Sequence, residues 1–253
     1  MSPRLSMEPI KILYLHIYED SKTKKIRSLL EEIYGKDNVI SSKDKSRTID
    51  ILILIFVYTL CLCCIVLILH CIFTLNEHVY MLIFPFFFTT MAIFFVGSTV
   101  FYEVLYRRCL RKANKLFEKL NPNVIVAYQF GCILAMHLSG PRVPMLLISP
   151  VQENFFSARV RKEVPIADFP YIIFVHSTLD RKRNLNKTLQ LVESLDKEKY
   201  RVEIINEGYN LELLNKSDYK NWIDEVYAQS IQHMTTRSKS ETTIDEDMFK
   251  PDA

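Results

Sequence analysis

Asn123–Leu138 reads NVIVAYQFGCILAMHL. Val124–Val126 is a β-type apolar run, and Ile133, Leu134, Ala135 and Leu138 then recur at helical spacing. A strand that turns directly into a helix presents the residue at its tip, and a nucleophile placed there is exposed for attack. The tip here is Gln129, with small residues, Ala127 and Gly131, two positions to either side. A carboxamide has no readily lost proton and is a poor nucleophile. The turn therefore offers the geometry of a reactive site without the reactive group.

Other residues with chemical potential are scattered. His16 and His176 close apolar strand-like runs, and His137 lies in the helical stretch after the tip. His16, His176 and Asp180 have the right donor atoms for a metal, but no ligand spacing supports such a site, so no metal is expected. Ser149 and Ser177 follow strands, neither in an elbow pattern. The chain has only five glycines and no phosphate-binding loop, so no nucleotide or other cofactor is expected. Of six cysteines, Cys61, Cys63, Cys64 and Cys71 lie in one apolar run, Cys109 follows a second and Cys132 follows the tip. They lack zinc-ligand company and read as small apolar residues, Cys109 also as a candidate for S-acylation beside a membrane exit.

Regular alternation must position these residues. Lys11–Leu15 reads as a strand, Ser21–Tyr34 as a helix closed by Gly35, and Asn38–Ser41 as a second strand. Further on, Arg107–Leu120 reads as a helix, Val124–Val126 as a strand and Phe130–Leu138 as a helix. Pro144–Ser149 and Tyr171–His176 are strands, Asn184–Leu195 a helix, Arg201–Ile205 a strand and Ser217–Gln232 a final helix. Alternating elements with near-continuous apolar strands predict a parallel sheet covered on both faces. From Thr235 the sequence turns polar without periodicity, the composition of a disordered tail.

Two apolar runs interrupt this pattern. Ile51–Leu75 is unbroken except for His70, and Val79–Tyr102 has no ionisable residue. Each exceeds the roughly 20 residues needed to cross a bilayer core. Only Asn76, Glu77 and His78 separate them, which predicts an antiparallel transmembrane hairpin. Lys43, Lys45 and Arg47 precede it; Arg107, Arg108, Arg111, Lys112 and Lys115 follow it; the tip has no basic residue. The positive-inside rule puts both chain ends on the cytoplasmic or equivalent side. The expected organisation is 1–47, first part of the α/β domain; 48–106, hairpin; 107–233, remainder; 234–253, tail.

Beyond these readings, the sequence resembles the α/β-hydrolase superfamily, particularly its small lidless esterase-like members. ILYLHIYEDS (Ile12–Ser21) resembles the first core strand and its oxyanion loop, and VAYQFGCILAMHL the nucleophile elbow. FVHSTLDRKRN (Phe174–Asn184) is similar to the stretch bearing the triad acid, and INEGYNLELL (Ile205–Leu214) to the stretch bearing the triad histidine. The resemblance implies a three-layer domain in which Gln129, Asp180 and Tyr209 stand at the triad positions, and His16 and Ile17 at the oxyanion loop. The departures matter more. Glutamine replaces the nucleophile, tyrosine the histidine and Ile17 a glycine. A phenol of unperturbed pKa near 10 cannot shuttle protons as imidazole does. A triad acts as a unit, so losing two members removes the mechanism.

The formal charge is +3 and no basic stripe is interleaved with aromatics, which argues against a nucleic-acid partner. The function expected is therefore a catalytically inactive, membrane-anchored hydrolase-like protein. It would serve as a scaffold or accessory subunit, partnered by the bilayer and by membrane proteins. A lipid or acyl-ester hydrolase with a displaced catalytic set is the alternative.

Overall fold

The computed structural model describes residues 9–17, 19–42, 47–74, 80–150, 166–177, 185–193, 195–205 and 214–248, with backbone alone at parts of 47–102 and at 233–248. Asp180 and Tyr209 lie outside the described residues. The chain divides into two compact units. One comprises Met1–Lys43, Cys109–Glu153 and Glu163–Ala253, and the other is centred on Asp44–Arg108.

The first unit holds six strands: β1 (Ile12–Leu15), β2 (Val39–Ser41), β3 (Val124–Tyr128), β4 (Met145–Ile148), β5 (Ile172–Ser177) and β6 (Tyr200–Ile205). They form one sheet in the order β2-β1-β3-β4-β5-β6, and every pairing is parallel. Its helices are α1 (Ser21–Tyr34), the end of α3 (Tyr80–Leu120), α4 (Gly131–Met136), α5 (Leu185–Val192) and α6 (Lys216–Met248). Parallel strands need crossovers, and apolar strands need cover on both faces. The expected parallel α/β sheet with flanking helices is what forms, with strand boundaries moved by at most two residues.

One sheet face carries Ile12, Tyr14, Val126, Tyr128 and Val175, buried under Ile26 and Leu30 of α1 and Tyr219, Ile223 and Val226 of α6. Because strand side chains alternate, Leu13, Leu15, Ile125, Ala127, Leu147 and Phe174 point the other way, and these too are buried. α4 packs against β1, β3 and β4.

Local chemistry sets the element ends. Asp20 caps α1 by accepting from the Thr23 N–H at 2.7 Å, while the Asp20 N–H donates to Thr23 Oγ1 at 2.8 Å. This reciprocal pair is a capping box. Gly35, at φ 90°, closes the helix, its N–H reaching Glu31 O at 3.0 Å. α3 ends at Asn121, left-handed at φ 48°, ahead of Pro122. Across the sheet edge, Arg201 of β6 pairs with Glu225 of α6 at 2.6 Å and with Glu203 at 2.5 Å, and such charge discourages edge-to-edge pairing.

Asn114 Nδ2 donates to Ser139 Oγ at 3.1 Å, and the Ser139 N–H donates to Asn114 Oδ1 at 3.1 Å. Next to this clasp, a Cβ at Gly140 would lie 2.1 Å from Cε1 of the buried Phe117 ring. Gly140→Ala is expected to cost about 1–3 kcal/mol, the usual range for overpacking, read as a lowered denaturation midpoint.

Three sequence expectations change. The helix expected from Arg107 is the C-terminal part of α3, which begins at Tyr80, with Pro85 near its start. α6 continues to Met248, past the polar stretch from Thr235 expected to be disordered; no Gly or Pro between Ser217 and Lys250 breaks it. Cys109, read as an acylation candidate, is 6% exposed and too buried for that modification.

In the second unit, α2 (Arg47–Thr74) covers nearly all of the first apolar run. Leu52, Phe56, Leu62 and Leu67 are exposed on α2, and Phe88 and Phe95 on α3. Among the described residues no helix is long and apolar enough to cross a membrane.

Candidate functional site

β3 ends at Tyr128 and α4 begins at Gly131, leaving two residues to reverse the chain. Gln129 makes the turn in the left-handed region, at φ 53°. That conformation costs a non-glycine residue about 1–2 kcal/mol and is often found where function demands it. Its N–H donates to Ile148 O at 2.9 Å, which continues the β3–β4 ladder into the turn. The small flanking residues now have causes. Ala127 is fully buried within β3. At Gly131 a Cβ would lie 2.1 Å from Leu15 O and 2.6 Å from Leu15 C, so the start of α4 rests directly on the end of β1. Cys132 is also buried here, its thiol 3.4 Å from Ala127 O. The turn is an elbow, and Gln129 stands at its tip.

Strand order reverses once, between β1 and β3, which lie side by side although β2 follows β1 in sequence. In open α/β sheets the crevice at the carboxyl ends of two such strands is the usual binding place. Gln129 leaves β3 at that edge, and His16 and Ile17 leave β1 there. The Gln129 side chain is half-buried, and its Nε2 donates to the Tyr128 hydroxyl at 2.8 Å.

The expected histidines do not converge. His16 is 3% exposed, and its Nε2 lies 3.3 Å from Ser41 Oγ of β2, on the far side of β1 from the elbow. Its N–H donates to Ser42 Oγ at 3.2 Å, and that hydroxyl donates back to His16 O at 2.7 Å. His176 is 1% exposed and bonds through Nε2 to Thr188 Oγ1 of α5 at 2.8 Å. Alternation places His16 on the face of Tyr14 and His176 on the opposite face. β3 and β4 stand between their strands, so β1 and β5 are about 14 Å apart at the usual strand spacing. The two rings therefore cannot share one metal ion. Among the described residues no group of three His, Cys, Asp or Glu side chains could hold one. His137 closes α4, its Nδ1 2.8 Å from Ile133 O. Ile17 is buried at 9% exposure.

Two features escape sequence reasoning. Ser149 leaves β4 at φ 48° and is 2% exposed, its N–H donating to Val175 O at 2.8 Å. Its backbone leaves β4 through the left-handed region, as that of Gln129 leaves β3. Nothing in Leu-Ile-Ser-Pro announces a positive φ, since serine is not among the residues that favour it. The other feature is a tyrosine cluster beneath the elbow. Tyr14, Tyr128 and Tyr219 share the core on the α1/α6 face. Burial, followed by the neighbouring Tyr219 and Tyr128, holds the Tyr14 phenol well above its usual pKa. Burial and then Tyr128 raise Tyr219 likewise. These phenols stay protonated and are uncharged donors. In the sequence, Tyr14 and Tyr219 are simply apolar-face positions.

Comparison with family models, with curated proteins and with solved structures finds no match for the chain.

Proposed function

We propose that this chain is a membrane-anchored α/β-hydrolase-like domain whose hydrolytic chemistry has been lost, and that it acts by binding, as a scaffold or accessory subunit of a membrane protein complex. The single observation that carries this reading is the elbow. Gln129 stands in a strained left-handed turn between Ala127 and a Gly131 that no larger residue can replace without a backbone clash. The demanding part of the architecture is kept while the nucleophile is absent. The all-parallel order β2-β1-β3-β4-β5-β6, with the elbow at its switch point, supports the same reading. By resemblance, Asp180 and Tyr209 complete a triad with no base.

The anchor rests on the apolar runs Ile51–Leu75 and Val79–Tyr102 and their basic flanks. Exposed Leu52, Phe56 and Phe95 fit side chains that meet lipid or other membrane helices. A hairpin whose two ends return to one face lets the segments before and after it build one sheet.

A second reading, a membrane-bound acyl-ester hydrolase with a displaced catalytic set, is favoured by one observation, the left-handed exit of β4 at Ser149. A serine-directed fluorophosphonate separates the two. The binding reading expects no heat-sensitive labelling of the full chain in gentle detergent and no ester turnover. It expects Gln129→Ser to remain at least a thousandfold below an intact triad enzyme, because no base stands behind the new hydroxyl. Labelling that disappears in Ser149→Ala would establish the hydrolase reading instead.

A further inference from the structure

We propose that β6 is a self-association edge: two copies of this chain join their β6 strands antiparallel, centred on Val202, so that one sheet continues through both α/β units. The inference goes beyond the binding reading above and does not depend on it. β6 ends the strand order, and among the described residues no strand pairs with its outer side. It is six residues long, Tyr200–Ile205, whereas β2 at the opposite edge has three. An open edge of that length is a template for a further strand. Apolar side chains remain uncovered on it: Ile204 is 47% exposed, and Tyr200 and Val202 are half-buried.

The order of charges identifies the occupant. Arg201 and Glu203 share the sheet face on which Arg201 meets Glu225 of α6, and their side chains are 44% and 31% exposed. They stand one residue to either side of Val202. In an antiparallel pair with Val202 opposite its own copy, Arg201 of each strand therefore stands opposite Glu203 of the other, on the same face. Tyr200 likewise stands opposite Ile204, an aromatic beside a β-branched residue. A guanidinium has five N–H donors, and the bonds to Glu203 and Glu225 use two, so a second carboxylate can be held without breaking either. Neighbouring registers fail. Centring the pair on Arg201 or on Glu203 sets like charges directly opposite each other, and a slip of one residue turns the side chains to the wrong face. The charges that deter a foreign or misaligned strand are thus complementary to a second copy of the same strand.

Two charge reversals in the full-length protein, Arg201→Glu and Glu203→Arg, test this in gentle detergent. Light scattering should show the wild-type mass rising with concentration from monomer to dimer. Each reversal alone sets like charges at both cross-strand pairs and should weaken the dimer about tenfold or more. Mixing the two variants restores opposite charges at both pairs. The mixture should therefore dimerise as the wild type does, one copy of each, read by capturing one tag and detecting the other. Thermal unfolding should show both variants folded, since exposed ion pairs contribute little to stability. Glu203→Arg in addition leaves the pair between Arg201 and Glu225 in place. The proposal is overturned if the wild type stays monomeric at every concentration reached. It is equally overturned if the dimer survives Glu203→Arg undiminished, which would place the association elsewhere on the chain, or if the two folded variants do not dimerise when mixed.

Discussion

Gly131→Ala is expected to lower the stability of the α/β unit by about 3 kcal/mol or more, at or beyond the upper end of overpacking costs. The added methyl would lie 2.1 Å from Leu15 O and 2.6 Å from Leu15 C. A flexible side chain could swing away from such a contact, but this neighbour is backbone. It belongs to β1, which is held by β2 on one side and β3 on the other. Either α4 must lift from the sheet or β1 must shift in register, and both break pairings next to Gln129. Denaturant unfolding measures the loss. Gly97, where a Cβ would meet nothing within 4 Å, supplies the control: Gly97→Ala should leave the midpoint unchanged or slightly raised. An unchanged midpoint for Gly131→Ala would mean that α4 does not rest on β1.

If residues 48–106 form the proposed membrane hairpin, removing them should have the largest effect on where the protein is found. With residues 48–106 replaced by a short Gly-Ser linker, the chain is expected to move from the alkaline-resistant membrane pellet almost wholly into the supernatant. The intact chain should stay in the pellet, since two apolar spans are extracted only by detergent. Extraction of the intact chain by alkali alone would show that neither run crosses the bilayer. Orientation has an independent readout in the sequons Asn186-Lys187-Thr188 and Asn215-Lys216-Ser217. With both chain ends on the cytoplasmic side, these asparagines carry no glycan, and glycosidase should leave the mobility of the protein unchanged. A shift would place the α/β unit on the opposite face.

Much of the fold was legible because its signals are local. Strands β1, β4 and β5 are short apolar runs bounded by polar or turn residues, and α1 carries its own start and stop in Asp20, Thr23 and Gly35. The elbow was legible for the same reason, since Ala127, Gln129 and Gly131 stand within five consecutive residues. The extent of α6 is not legible in the sequence, because a polar helix lacks the apolar stripe that periodicity detects.

What the sequence determined by itself is the alternation of strands and helices, the two long apolar runs with their basic flanks, and the absence of a nucleophile at the tip. All of these depend on neighbours in the chain, through side-chain type and spacing. Tertiary structure alone decided which distant residues meet. It turned His16 toward Ser41 and His176 toward Thr188, on opposite faces of the sheet, although both close strand-like runs at one edge. It brought Tyr219 over Tyr14 and Tyr128, from a helix far along the chain, and left two hydroxyls buried without partners. It also set Ser149 at a positive φ. Strand order and helix packing govern these outcomes, and they act between segments whose separation in the sequence carries no local mark.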